Sequence, residues 1–130
     1  MASTYKCTAE DFGRIMSSLI SDYENDVNSA QKRTVQKVTR WGAKELRNST
    51  SAPVKTGEYK AGFTSTVDIK RTGAFGTVYN KAKPGLVHLL EKGHAKVGGG
   101  RVKAYPHVAP VAEQMFAKLE NELESEVSRV

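Results

Sequence analysis

Four side chains of a kind that ligates metal fall close together: His88, Glu91, His94 and His107. Imidazoles and a carboxylate are the usual protein ligands of zinc. His88 and Glu91, three residues apart, share one face of a helix. His94, however, lies beyond Gly93, and the spacing is not His-Glu-x-x-His, whose histidines stand at i and i+4. Polar residues flanking a leucine face account for the pattern better, and no metal or cofactor is expected. A second candidate is Lys96-Val-Gly-Gly-Gly-Arg101, whose backbone could cradle phosphate. It lacks the Gly-Lys-Ser/Thr ending of a P-loop and does not open a helix after a strand, so a flexible basic loop is the better reading. The single cysteine, Cys7, reads as an incidental thiol in a reducing compartment. No Ser-His-Asp or Cys-His arrangement and no isolated carboxylate pair stands out, so no catalysis is expected.

These residues sit in the most specialised stretch of the chain, residues 86–110. Leu86, Leu89 and Leu90 recur at i, i+3 and i+4, which puts three leucines on one face of a short buried helix. Gly93 is placed to end it in a left-handed conformation. Gly98, Gly99 and Gly100 follow, a run with no preferred backbone state. It is expected to be mobile in a free subunit and replaceable by alanines at almost no cost in stability. Pro106 and Pro110 bracket the start of the last helix, where a missing N–H costs least.

The rest of the chain must position that stretch. Thr8 with Asp11 reads as a helix start. Phe12, Ile15, Met16, Leu19, Ile20, Tyr23, Val27, Ala30, Val35, Val38, Trp41 and Leu46 keep a helical rhythm, which predicts helix over residues 9–48 with a possible bend at Asn25 or Gly42. Unbroken, it would span roughly 60 Å, longer than a small domain, and would project toward something outside the monomer; broken, it would be two helices packed on one core, and the pattern favours neither. Pro53 stops any continuation, and Thr56-Gly57 is a turn. Tyr59, Ala61, Phe63, Ser65, Val67 and Ile69 alternate with polar residues as a half-buried strand. Arg71-Thr72-Gly73 turns a hairpin into a second strand over residues 74–80. There Phe75 and Tyr79 face one way, Ala74 and Val78 the other. Residues 102–105 suit a further short strand. Val108, Val111, Met115, Leu119, Leu123 and Val127 then form a helical stripe opposite Glu113, Glu120, Glu122, Glu124 and Glu126. The predicted fold is a single α+β domain over residues 1–130. It has a long first helix, an antiparallel sheet built on a hairpin, a short middle helix, and a last helix on the sheet.

At 130 residues and 38% hydrophobic, the chain is long enough for one real core. No apolar run reaches membrane-span length, and no signal peptide is read at the start. The net charge is +6, unevenly spread. Residues 31–103 carry 16 Lys plus Arg against 4 Asp plus Glu, a net +12, while the two ends carry 4 against 10, a net −6. A basic middle between acidic ends suits an acidic partner, DNA or a protein face, or simply a well-solvated surface. Trp41 beside Arg40 and Lys44 could touch nucleic acid, although a lone Trp on an apolar stripe is more often core.

Several segments together resemble the tail-completion, or head–tail joining, family of minor tail proteins of long-tailed bacteriophages. They are Thr56-Gly57-Glu58-Tyr59 before the alternating strand, Val78-Tyr79-Asn80, Leu89-Leu90-Glu91-Lys92-Gly93-His94, Gly99-Gly100-Arg101-Val102 and Pro106-His107. The resemblance spans residues 27–123. It implies a structural virion protein without enzymatic activity or cofactor. Such a protein forms a ring, usually six-fold, on the end of the tail tube, meets the head connector or stopper protein, and lets viral DNA pass. It implies residence at the head–tail junction of the virion, with the host cytoplasm before assembly, and no membrane. Candidate interface residues on this reading are Leu86, Leu89, Leu90, Glu91, Gly93, His94, Gly98, Gly99, Gly100, Arg101, Pro106 and His107. The charge split adds the acidic Glu120 and Glu124, to be matched by Lys81 and Lys83 of a neighbouring copy. A stand-alone basic nucleic-acid-binding module is the alternative.

Overall fold

The computed structural model describes residues 8–50, 57–71 and 73–130. Cys7, Pro53, Thr56 and Thr72 lie outside the described residues. The first helix, α1 (Ala9–Arg47), is continuous through both Asn25 and Gly42. Thr8 caps it, its hydroxyl accepting from the Asp11 N–H at 3.1 Å. Glu10 and Asp11 lie at its positive end and Lys44 and Arg47 at its negative end, the arrangement its dipole favours. Its 39 residues span about 58 Å.

That length divides into two parts. Residues 9–29 contain no buried side chain, whereas Ala30, Thr34, Val38, Thr39, Gly42, Ala43 and Leu46 are buried. The second part is packed on two sides. The last helix, α4 (Val108–Val127), crosses it at Gly42, where a side chain would strike the Met115 sulfur. The hairpin of β1 (Phe63–Lys70) and β2 (Gly73–Asn80) meets it at Gly76, whose missing side chain leaves room for Thr39. Gly42 therefore serves close helix packing rather than a bend.

The hairpin is antiparallel, with Phe63 opposite Asn80 and Lys70 opposite Gly73. The alternating pattern overran its start. Glu58–Ala61 is a helical turn, α2, entered through Gly57 at φ 80°. Tyr59 and Phe63 thus stand one helical turn apart rather than on one strand face, and their rings meet edge-on at 5.2 Å. Along β2 the two faces resolve: Ala74 and Val78 turn inward, Phe75 and Tyr79 outward.

A 3₁₀ turn (Pro84–Leu86) leads into α3 (Val87–Lys92). Val87 and Leu90 are the residues it packs against the core of Leu46, Tyr59, Phe63 and Val111. Leu86 ends the 3₁₀ turn and is exposed, so the leucine face is not the buried one expected. β3 (His94–Ala95) and β4 (Arg101–Val102) pair antiparallel, a two-residue ladder in place of the strand predicted over 102–105. The fold is α+β, as predicted. Among the described residues, no helix is long and apolar enough to cross a membrane.

Candidate assembly interface

Residues 86–110 form a clasp that joins α3 to the head of α4. The carboxylate of Glu91 makes the joint. One oxygen accepts the N–H of His107 and of Val108, both at 2.8 Å, and the other accepts the N–H of Ala109 at 2.9 Å. These are the first amides of α4, which no helical carbonyl can satisfy. Pro110, next in line, has no N–H to leave over. Burial alone would raise the Glu91 carboxyl, but the three amides and the neighbouring His107 outweigh it and hold the group below the ordinary glutamate range.

His107 is held from its other side by the core. Its side chain is wholly buried. Nδ1 lies 2.7 Å from the Tyr105 carbonyl, which can only accept, so Nδ1 carries a proton. In the neutral ring, Nε2 is then free to accept the Tyr59 hydroxyl at 2.7 Å. Burial, reinforced by the Glu91 charge, pushes that hydroxyl up to about 12. A third buried polar group, Asn80, locks the neighbouring corner. Its amide donates to the Tyr59 carbonyl at 2.6 Å, and its oxygen accepts from Ala82 at 3.1 Å and Lys83 at 2.8 Å.

Glu91 and His107, read at first as interface candidates, therefore work inside the chain. Their polar atoms are engaged by backbone and tyrosine, which also takes them out of the metal constellation considered with His88 and His94. Gly93 is structural as well. It sits at φ 71° and a side chain there would strike the Val102 carbonyl. Leu89, Leu90 and His94 are half-buried, while Leu86, Pro106 and Arg101 are exposed; Arg101 reaches back to the Lys92 carbonyl.

The glycine loop is a hairpin tip with a definite geometry. Gly98, Gly99 and Gly100 stand at φ 92°, 110° and 81°, a region that L side chains avoid. Lys96 N–H bonds the Gly100 carbonyl at 2.9 Å, closing the tip. The glycines are required by conformation, contrary to the expectation that alanines would cost almost nothing. Val97 stands fully exposed beside them.

The charges are arranged differently from the simple split. Glu122 and Glu126 turn toward α1 of the same chain, pairing with Lys37 at 3.0 Å and Arg33 at 3.2 Å. Lys37 heads the causes that hold Glu122 below the usual carboxylate range. Glu120, Glu124, Lys81 and Lys83 are exposed, with Lys83 3.9 Å from Glu58. Arg33, Lys37, Arg40 and Lys44 surround Trp41 in a shallow basin on α1, and Lys118 lies 5.5 Å from the indole.

Two apolar surfaces lie open. One is the free part of α1, the projecting helix expected to meet something outside the monomer, where Phe12, Ile15, Met16, Leu19, Ile20 and Tyr23 are each 40–58% exposed. Its helical rhythm was visible; which half of the helix the domain would cover was not. The other is a groove of about 440 Å³ between α1, β2 and α4, walled by Val35, Val38, Gly76 and Met115 and rimmed by Phe75 and Phe116. The signal for it was two aromatics lying off the inward pattern of their elements. No protein-family model, curated protein or solved structure matches this chain.

Proposed function

We propose that the chain is a structural virion protein of a long-tailed bacteriophage. On this reading it is non-catalytic, sits at the head–tail junction, and acts by forming a ring on the end of the tail tube. The observation that carries the assembly part is the uncovered half of α1. Six large apolar side chains, Phe12 to Tyr23, face solvent along about 17 Å of helix. A patch of that kind on a folded chain marks a surface meant for another surface. The place of action rests on the resemblance. Four of its five motifs meet in the clasp and the corner beside it: Tyr59 from the first, Asn80 from the second, Glu91 from the third and His107 from the last. Residues that share one structural task are what a family motif should hold. The tail tube and the head connector are the proposed neighbours. Co-sedimentation with tail tubes tests the reading: a fixed, saturable amount of protein per tube is expected, and no binding counts against it.

A stand-alone nucleic-acid module is the second reading, favoured by the basin of Arg33, Arg40 and Lys44 around Trp41. Two of that face's cations, Arg33 and Lys37, already pair with α4 carboxylates, which lowers its net charge. Affinity for DNA that falls steeply with salt, at a slope set by several phosphate contacts, would favour this reading over the first.

A further inference from the structure

We propose that the free half of α1 seats in the groove between α1, β2 and α4 of a second copy of this chain. The proposal rests on the self-assembly reading above and names its interface. The two surfaces are the apolar stripe at Phe12, Ile15, Leu19 and Tyr23 and the groove rimmed by Phe75 and Phe116, which are 56% and 72% exposed. They lie on different parts of the molecule. The arm is one unbroken helix with the α1 residues that wall the groove, so it cannot fold back into its own. A neighbour's groove is open to it.

The stripe also continues a seam that the fold already uses. Phe12, Met16, Leu19, Tyr23, Val27, Ala30 and Thr34 follow one another at three- and four-residue steps. Ala30 and Thr34 are buried where α4 lies along α1. Beyond the end of α4 the same face carries on bare. Half-exposed aromatic and aliphatic chains of this size contribute on the order of 100 Å² each, so six of them with their polar flanks approach the roughly 800 Å² per partner of a specific interface.

Charge selects the partner surface. Residues 9–29 hold five carboxylates, Glu10, Asp11, Asp22, Glu24 and Asp26, against one cation, Arg14. Residues 30–130 hold 18 Lys plus Arg against 9 Asp plus Glu, a net +9. Two arms laid together would repel, whereas an arm laid on the body of another copy is attracted. On the β2 side of the groove, Lys70 stands 5.5 Å from the Phe75 ring and 3.5 Å from Asp68, the residue opposite Phe75, so that rim is close to neutral and the attraction comes from the net charge of the body. On the α4 side, Glu113 and Glu120 flank Phe116 in sequence, and the middle of the arm, residues 12–21, carries no carboxylate to meet them. Arm-in-groove is a heterologous contact, one that closes into a ring or runs on as a chain.

Sedimentation velocity on the full chain tests this, with two variants on exposed positions that leave the core alone. Ile15→Lys with Leu19→Lys spoils the arm, and Phe116→Asp spoils the groove. The wild type should self-associate with rising concentration. Each variant should weaken association at least about tenfold while keeping its helical circular dichroism. Mixed in equal amounts, the two variants retain one good arm and one good groove, so they should form a one-to-one heterodimer and nothing larger. A groove variant that associates like the wild type, or a mixture that stays monomeric, overturns the proposal. So does a wild type that stays monomeric throughout, since the arm's occupant is then another protein. The experiment uses no tails, so its failure leaves tail binding to be judged separately, and binding to tails by a chain that never self-associates would sink the interface alone.

Discussion

The Tyr59 hydroxyl and the Nε2 of His107 meet at 2.7 Å inside the core, although 48 positions separate them in the chain. Around that contact the α2 turn, the α3 helix and the head of α4 hold one another. The hydroxyl is the one polar group of the Tyr59 ring, and the imidazole it meets has no exposed edge. Removing either partner leaves the other buried and unsatisfied.

Tyr59→Phe should therefore destabilise the fold by about 1–3 kcal/mol, the penalty of an orphaned buried polar group. Thermal unfolding followed by circular dichroism checks it. A melting temperature equal to the wild type's would mean that water reaches His107.

Glu91 gives the fold an acid limit. Its carboxyl is held below its unfolded value, so its contribution is complete above about pH 4.5 and is lost as pH falls through the lower folded value. Glu91→Gln retains one acceptor but no charge. It should cost about 1–3 kcal/mol at pH 7, and denaturant unfolding should show less loss of stability below pH 4.5 than in the wild type. Parallel pH profiles would count against the cap.

Replacing Gly98, Gly99 and Gly100 with alanines should strain the β3–β4 tip by about 1 kcal/mol or more per residue, because all three stand at positive φ. Hydrogen exchange reads this locally: the Lys96 amide, bonded to Gly100 in the wild type, should exchange faster in the variant. Unchanged exchange would mean that the tip adopts another turn.

Glu120 and Glu124 project from α4 without an ion-pair partner among the described residues. Glu120→Lys with Glu124→Lys should leave folding intact and impair assembly on tail tubes. Adding Lys81→Glu and Lys83→Glu should restore it if those four residues face one another between copies. Normal assembly by the double-lysine variant at low salt would assign these charges to solvation.

Much of this architecture follows from local pattern. The bounds of α1, the presence of the hairpin and the inward stripe of α4 were legible because each is a periodicity a few residues long; which face of β2 turns inward was not, because both faces carry apolar residues. The strand's false start at Tyr59 shows the limit of that reading. Tyr59, Ala61 and Phe63 alternate as a strand would, but Gly57 at φ 80° and the core at His107 draw the first of them into a helical turn. The clasp was visible only as unusual residues close together, since the partner of Glu91 is a set of backbone amides that carry no residue-type signal. Lys37 and Glu122 illustrate the same limit for charge: composition counted them in opposed regions, and packing joined them within one molecule.

Negative-stain electron microscopy of tail tubes incubated with the purified chain tests the central proposal most directly, using tubes of the phage proposed to encode it. The account expects a compact ring of added density at one end of each tube, present with the wild type and absent with Ile15→Lys, Leu19→Lys. Bare tube ends at saturating protein, or protein scattered along the tube walls, would contradict it.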